Sequence, residues 1–301
     1  MKLFAVTVIV LGAVGLSAEA SAYCRSTTCR SAGAKECVTD KNSCPAEGAK
    51  LFWPTSCINF AFNAQGTQDL DPEETFAVMR KTFQAWTEVP CPSGGNATIT
   101  FEERGPILLK KSAYNKEGRN VNVILFQDDD WKYRGIDGTL AKTSVTYNDE
   151  TGEIYDADIE VNAANNTVTL PTSKRVDYDL QAIMTHEVGH FIGIAHSSDG
   201  SAVMAPTYSP GSIAQRTLTP DDVGAVCEIY PPKSGLVCAP EPRGGFGDED
   251  PNATTPKACA VARGTGEPAA LPVVPFAMAG TGLVAAARRA RRRMGQPGRR
   301  S

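Results

Sequence analysis

Alternating apolar and polar positions recur through the middle of the chain and predict β-strands. In the run Ile58–Asn63, isoleucine and phenylalanine alternate with asparagine and alanine, which is the period-two pattern of a half-buried strand. Four later runs also favour strands, and a turn cluster at 148–152 separates the last two of them. The five predicted strands are 58–63, 97–102, 120–126, 139–147 and 154–162.

Helical periodicity is found in three other places. The first helix is predicted to begin at Asp71 and Pro72, because aspartate caps helix starts and proline fits the first turn. Its apolar face has helical spacing at Phe76, Met79, Phe83 and Trp86. The other two helices are predicted over Asp177–Ile192 and Pro220–Tyr230. Strands followed by helices in one body predict an α+β domain over residues 51–232.

The first 22 residues have a different pattern, which is typical of export. Lys2 precedes an almost wholly apolar run from Leu3 to Leu16, and Ala20-Ser21-Ala22 offers a small-residue cleavage site. We predict a signal peptide over residues 1–22, with the mature chain starting near Tyr23. A buried N-terminal helix is the alternative.

Three more segments are distinguished by composition. Residues 23–50 are rich in cysteine, serine and lysine, and we interpret them as an N-terminal extension held by disulfides. Residues 233–270 are rich in proline, glycine and alanine and have no apolar period, which is typical of a linker. Residues 271–301 form an uncharged segment followed by an arginine-rich tail.

The overall composition excludes several classes of protein. Because 42% of the 301 residues are apolar, the chain can bury a sizeable core, which excludes intrinsic disorder. The net charge is −4, and seven arginines are confined to 288–301, so the remainder of the chain is distinctly acidic. No nucleic-acid partner is expected, since phosphate contacts need clustered lysine and arginine.

Eight of the nine cysteines lie between residues 24 and 238, and Cys259 stands apart from them. Eight cysteines in an exported protein predict four disulfides, and ~105 pairings remain open. A cysteine-rich zinc site among the first four cysteines is the alternative. It is the weaker interpretation, because no C-x-x-C pair occurs in the chain.

The stretch that carries most chemistry is His186–His196, with the sequence HEVGHFIGIAH. On a helix, His186 and His190 project from one face toward a single metal ion. Gly193 is a place where the helix can end and turn, which would return His196 as a third ligand. Three neutral imidazoles fit Zn²⁺ and leave its fourth position open for water. Glu187 lies beside the ligands and is the candidate catalytic residue.

A short H-E-x-x-H pattern also arises by chance on amphipathic helices. Here the pattern extends over eleven residues, and its three histidines are all the histidines of the chain. Their confinement to this one spacing favours metal binding. The extended run resembles the H-E-x-x-H-x-x-G-x-x-H motif of the metzincin zinc metallopeptidases. Ser197 and the following segment 202–206 are similar to the matrixin branch, whose members resemble matrix metalloproteases.

This resemblance implies a zinc-dependent endopeptidase that acts on extended protein or peptide substrates. It implies a twisted five-stranded mixed sheet with three helices and an active-site cleft between two subdomains. By the same resemblance, the zinc-activated water would lose its proton to Glu187, which later passes that proton to the leaving amine. Met204 would be the Met-turn residue beneath the zinc.

Substrate contacts are also implied by the resemblance. Pro206 and Tyr208 would belong to the wall of the substrate pocket. Leu140 and Ala141 would lie on an edge strand that holds an extended peptide by adding it to the sheet. We expect the protein to be a monomer.

The chain departs from the matrixin pattern at its second metal site. Many matrixins have a structural zinc bound by further histidines, and none remain here, so that site is expected to be absent. Calcium is left open, since hard oxygen ligands cluster near the last predicted strands. These acidic residues are Asp137, Asp156, Asp158 and Glu160, and a solvated strand edge would explain them equally well.

Two alternatives to an active peptidase stay open. In the first, the chain is a surface adhesion or binding protein whose metal is only structural; Glu187, beside an open metal position, disfavours this. In the second, the peptidase is latent, and residues 23–50 must be removed or place a cysteine thiolate on the zinc.

The C-terminal layout of Cys259, an apolar segment at 271–287 and an arginine run at 288–293 resembles the sorting tails of myxobacterial surface proteins. This resemblance implies that the tail attaches the protein to the cell surface or membrane, or is removed to release it. A disordered basic tail is the alternative. We therefore expect an exported protein, either secreted or associated with the cell surface.

Overall fold

A computed structural model describes residues 22–29, 36–133 and 139–247. The predicted signal peptide up to residue 21, Asp137, Cys259 and the predicted tail 271–301 all lie outside these described residues. Within the described ranges, no helix is both long enough and apolar enough to cross a membrane.

Nine strands and three α-helices make up the described part of the chain. The strands are β1 (Cys24–Arg25), β2 (Cys57–Phe62), β3 (Thr100–Glu103), β4 (Val123–Gln127), β5 (Ala141–Tyr147), β6 (Ile154–Asn162), β7 (Val168–Thr169), β8 (Tyr178–Asp179) and β9 (Ile194–Ala195). The helices are α1 (Pro72–Ala85), α2 (Leu180–Phe191) and α3 (Pro220–Ile229), with a 3₁₀ turn at Ala214–Arg216.

The central sheet has five strands in the order β3-β2-β4-β6-β5. Strand β2 runs parallel to β3 and β4, β4 runs parallel to β6, and β5 pairs antiparallel with β6 at the edge. The predicted α+β architecture, with a mixed five-stranded sheet and three helices, is confirmed.

Both faces of the sheet are covered, which explains the nearly continuous apolar sequence of the inner strand β4. On one face α1 and α2 pack through aromatic rings, with the centroids of Phe60 and Phe83 4.0 Å apart and those of Phe83 and Phe191 5.6 Å apart. The indole N–H of Trp86 donates to the Thr185 carbonyl, which joins α1 to α2. A smaller apolar cluster covers the other face and contains Ala61, Ile107, Leu109, Val121, Val123, Leu125 and Phe246.

Helix α2 begins at Leu180, later than the predicted Asp177. Tyr178 and Asp179 instead form β8, which pairs with β7. The Asp179 carboxylate then caps the helix by accepting from the Ala182 N–H at 2.8 Å, and it also pairs with Arg216. The start of the helix is therefore fixed by a buried carboxylate that the periodicity of the sequence does not reveal.

The predicted four disulfides are confirmed, and the structure gives their pairing. Two close within the N-terminal extension, and two join distant parts of the domain. The pairs are Cys24–Cys44, Cys29–Cys37, Cys57–Cys238 and Cys91–Cys227. Because all eight cysteines are paired, none of them supplies a thiolate for a metal.

The beginning of the expected linker 233–270 packs on the domain. Cys238 is disulfide-bonded to Cys57, and the Val237 carbonyl accepts from the Ser56 N–H at 3.2 Å. Phe246 forms a β-bridge with Asn120. These contacts involve single residues and have no period, so the sequence pattern does not show them. Residues 233–247 thus form part of the body, and 248–270 lie outside the described residues.

Candidate metal centre

Helix α2 carries the first two histidines of the motif, and a tight turn brings back the third. The helix ends at Phe191, and Gly193 has a φ of +96°, in the left-handed region that glycine adopts at little cost. A Cβ at this position would lie 2.8 Å from the Leu51 carbonyl oxygen. The chain then forms β9 and returns His196 to the two histidines of the helix.

The three histidine rings meet at their Nε2 atoms. The Nε2 of His190 lies 3.1 Å from that of His186 and 3.2 Å from that of His196. On the far side of each ring, His186 Nδ1 lies 2.7 Å from the Val203 carbonyl oxygen and His190 Nδ1 lies 2.8 Å from that of Ile194. Because a carbonyl oxygen only accepts, both Nδ1 atoms carry the ring hydrogen, and their Nε2 atoms present lone pairs.

Lone pairs that face one another at this distance cannot hydrogen-bond together and are stabilised by a cation between them. Among the residues that the structure describes, these histidines are the group whose ligand atoms converge, all within 4.8 Å of one another. Imidazoles oriented by hydrogen bonds to backbone carbonyls are typical zinc ligands. The donor set therefore fits Zn²⁺ with one coordination position left open.

The electrostatics of the site keep the ligands neutral. Burial lowers the pKa of His186 and of His190 to about 4, and each ring also feels a neighbouring imidazole that opposes its protonation. Burial and the proximity of His190 likewise lower the pKa of His196 to about 4. Unprotonated imidazole is the form that binds a metal, so the site is ready to do so at neutral pH.

Glu187 is buried beside the histidines and is not one of the converging ligands. Its carboxylate accepts from the hydroxyl of Thr143 on β5 at 2.5 Å. Burial raises the pKa of Glu187 above its ordinary value, although His190 and the hydrogen bond from Thr143 oppose this rise. A carboxylate with a raised pKa that lies near an open metal position suits proton transfer.

The turn at Met204 packs beneath the site. Met204 is fully buried, and a Cβ at Gly189 in the middle of the motif would collide with its sulfur. Asp222 accepts from the backbone N–H groups of Val203 at 2.9 Å and Met204 at 3.1 Å while it caps α3. Because Val203 also orients His186, Asp222 connects the third helix to the first ligand.

Comparison with known proteins identifies the family. The family model described as Matrixin matches residues 52–231, which is more than half of the chain. The chain belongs to the matrixin family. Matrixins bind zinc, and the three-histidine group is compatible with that property.

Two similar matrixins come from a plant and from human. The chain is 27% identical over 191 residues to metalloendoproteinase 1-MMP of Arabidopsis thaliana, an alignment that covers 62% of this chain and 46% of the relative. It is 27% identical over 184 residues to matrix metalloproteinase-16 of Homo sapiens, which covers 60% of this chain and 27% of the relative. The chain therefore spans less than half the length of these two relatives.

The four predicted substrate-contact residues of this matrixin lie on two segments, one at the start of β5 and one after the Met204 turn. Leu140 is half-buried and precedes β5, and Ala141 is its buried first residue. Pro206 is exposed. Tyr208 is half-buried; its hydroxyl donates to the Ser212 carbonyl at 2.5 Å and accepts from the Asp179 N–H at 3.0 Å.

The acidic residues of β6 lie away from the histidines. The alternate residues Ala157, Ile159 and Val161 join the core beneath the helices, so Asp156, Asp158 and Glu160 face the opposite side of the sheet. The Glu160 carboxylate accepts from four side chains that surround it. These are Lys132 at 2.9 Å, Gln127 at 2.6 Å, Ser112 at 2.8 Å and the hydroxyl of Tyr133.

Asp156 and Asp158 line a cavity of about 240 Å³ on that side of the sheet. Asp158 accepts from the Val123 N–H at 2.9 Å, and the buried Oδ1 of Asp156 has no hydrogen-bond partner among the described residues. Burial raises the pKa of Asp156 to about 7. The charge of Glu160 is thus paired with Lys132, and burial favours the protonated form of Asp156.

Proposed function

We propose that this matrixin is an exported zinc-dependent endopeptidase that hydrolyses peptide bonds of extended protein substrates. The observation that carries the proposal is the convergence of three imidazole Nε2 atoms, two of which face each other with lone pairs, beside the buried carboxylate of Glu187. We assign His186, His190 and His196 as zinc ligands and Glu187 as the catalytic residue.

Bound zinc would supply Lewis acidity, which polarises the scissile carbonyl and lowers the pKa of water toward ~7. Glu187 accepts a proton from the attacking water and then donates it to the leaving amine, so one carboxyl acts as base and then as acid. Its burial raises its pKa, which makes the protonated form accessible for the second step. Thr143 holds the carboxylate toward β5 before the water arrives.

Substrate binding is proposed to use β5. This strand lies at the edge of the sheet, and its outer side pairs with no strand in the described part of the chain. An extended peptide can add to such an edge through backbone hydrogen bonds, which favours recognition of conformation over sequence. Leu140 and Ala141 would contact the peptide there, and Pro206 and Tyr208 would form the wall of the pocket in the predicted cleft.

Export is supported by the four disulfides, which form and persist in oxidising compartments. We propose that residues 1–22 direct export and that 271–301 attach the protein to the cell surface or release it from there. A monomer without a nucleic-acid partner remains our expectation.

The alternative of a purely structural metal would require a fourth protein ligand. In the described ranges, the converging group consists of three histidines, and the eight cysteines are paired in disulfides. A site of three ligands with an open position is the arrangement of a catalytic centre.

Calcium remains a prediction from the acidic sequence of β6. Glu160 already pairs with Lys132, so a calcium ion would have to use Asp156 and Asp158. Equilibrium dialysis of the purified protein with calcium would detect such a site.

The deciding experiment is cleavage of a mixed, unfolded protein substrate by the full exported chain beside its Glu187→Ala variant. We expect wild-type cleavage to stop with a zinc chelator and to return with added zinc. The variant should keep its zinc and lose about 10²–10⁴-fold in turnover, the contribution typical of general acid–base catalysis. A variant as fast as wild type would remove Glu187 from the mechanism, and a zinc-loaded wild type that cleaves nothing would contradict the proposed function.

A further inference from the structure

The N-terminal extension runs along the backbone of the turn that carries the third histidine. Strand β1 pairs antiparallel with β9, with Cys24 opposite Ala195 and Arg25 opposite Ile194. The Ser26 N–H donates to the Gly193 carbonyl at 3.0 Å. The extension therefore lies hydrogen-bonded along residues 193–195, which connect α2 to His196.

Strand β1 is held in place from its other side. Cys24 is joined to Cys44 by a disulfide. The Arg25 guanidinium donates to the Leu51 carbonyl at 2.6 Å and pairs with Glu228 of α3 at 3.2 Å. The strand is thus fixed to the domain by contacts that do not involve β9.

A second connection reaches the residue after the ligand. The backbone N–H of Tyr23, the first residue of the predicted mature chain, donates to Asp221 Oδ1 at 2.9 Å. The other oxygen of Asp221 accepts from the Ser197 hydroxyl at 2.6 Å. His196 therefore lies between two points, β9 and Ser197, that are both attached to the N-terminal segment.

Besides β1, the turn that bears His196 is supported by the Ser197 N–H, which donates to the Met204 carbonyl at 2.8 Å, and by the buried side chain of Ile194. Strand β9 has only two residues, and an isolated two-stranded pairing is of marginal stability. His196 is also the exposed member of the ligand group, whereas His186 and His190 are set by a buried helix. A metal ligand is effective only when its surroundings hold it in the productive geometry.

We propose that the described residues of the N-terminal extension, 23–29 and 36–50, are a positioning element for His196, and that β1, held by the Cys24–Cys44 disulfide, increases the affinity of the site for zinc. This inference rests on the proposed zinc site and assigns the extension the opposite role to an inhibitory segment. Its cysteines form two disulfides and leave no thiolate to block the metal.

The test compares two double variants of the full exported chain, Cys24→Ser/Cys44→Ser and Cys29→Ser/Cys37→Ser. Each removes one disulfide from the extension, but only Cys24 belongs to β1. We expect the first variant to bind zinc about 10–100-fold more weakly in competition with a chelator, the range typical of lost outer contacts to a metal ligand. The second should match wild type within about twofold.

Further readouts separate positioning from general destabilisation. The cobalt-substituted first variant should show an altered visible absorption spectrum, and its amides at 193–196 should exchange hydrogen faster. Turnover should fall at limiting zinc and recover at saturating zinc, with KM unchanged.

A second matched pair keeps all disulfides. Ser26→Pro removes the N–H that donates to Gly193, whereas Thr28→Pro removes one that donates to Ala49 within the extension. Only Ser26→Pro is expected to weaken zinc binding, with both variants checked by circular dichroism for an unchanged fold.

Equal zinc affinity of Cys24→Ser/Cys44→Ser, Ser26→Pro and wild type would overturn the inference, and so would higher activity of either variant, the result expected of an inhibitory segment. Zinc affinity is measured independently of cleavage. A wild type that binds zinc but cleaves nothing would therefore contradict the proposed function, while the ratio of affinities would still decide the inference.

Discussion

The two sides of the central sheet each carry a group of polar side chains, and the two groups differ in whether the chain itself supplies all their hydrogen-bond and charge partners. On α2 and the turn after it, three imidazole Nε2 atoms converge, and those of His186 and His190 face each other with lone pairs and no donor between them. On the other side, the Glu160 carboxylate is surrounded by an ammonium, two hydroxyls and an amide of the chain itself. A buried group that receives its counter-groups from the chain is structural, and one left incomplete is suited to bind a ligand.

The largest effect should come from breaking the incomplete group. His190→Ala removes the central ligand, and zinc affinity should fall by more than the ~10–100-fold typical of outer contacts alone. Chelator competition measures this, with circular dichroism to confirm an intact fold. An unchanged zinc affinity would mean that the three nitrogens are not the metal site.

Disrupting the group around Glu160 should instead lower the stability of the fold and leave zinc binding unchanged. Glu160→Gln removes the negative charge that pairs with Lys132 and accepts a hydrogen bond from Tyr133. The free energy of unfolding in urea should therefore fall by about 2–3 kcal/mol. Zinc stoichiometry should stay at the wild-type value, and its loss would contradict the separation of the two groups.

The difference in free energy of unfolding between Glu160→Gln and wild type should depend on pH. Burial opposes ionisation of Glu160, but the hydrogen bonds from Tyr133, Lys132 and Ser112 outweigh it and hold its pKa below the ordinary value. Its stabilising contribution is therefore present above the pKa of the unfolded chain and is lost as the pH falls. The gap between variant and wild type should close in acid.

Removing the charge of Asp156 should instead stabilise the fold. Burial raises its pKa to about 7, so the cost of ionising it in the folded state grows from the unfolded-state pKa upward and is fully present above pH 7. Asp156→Asn should raise the free energy of unfolding by roughly 1–2 kcal/mol at pH 8, and have little effect at pH 4. If millimolar calcium made the same variant less stable than wild type, the cavity would be a cation site.

The smallest effect concerns the hydrogen bond from Thr143 to the carboxylate of Glu187, the proposed proton acceptor. Thr143→Val removes a donor that lowers the pKa of Glu187. The acidic limb of the profile of kcat/KM against pH should move to higher pH by less than about one unit. Thr146→Val on the same strand is the control, and a shift in the control of equal size would refute the assignment.

The sequence predicts local geometry well and tertiary pairing poorly. Ligands spaced four residues apart on one helix, followed by a glycine turn, can be foreseen because the spacing itself brings them together. The pairing of β1 with β9 cannot, since two-residue strands have no period. The contact of Lys132 with Glu160 cannot be predicted either, because it depends on how the loop that contains Lys132 passes over β6. The same holds for the pairing of Asp179 with Arg216 and for the contact of Asp222 with the Met204 turn, although the sequence predicts Asp222 in the first turn of α3.

The disulfide between Cys57 and Cys238 also determines how much of the chain is needed to make the protein. The family match ends at residue 231, yet Cys57 finds its partner 181 residues later, beyond that end. Under oxidising conditions, a fragment cut at the family boundary would have an unpaired thiol at the start of β2, free to bond with a second molecule. The unit that folds without this unpaired thiol therefore reaches beyond the segment that matches the family.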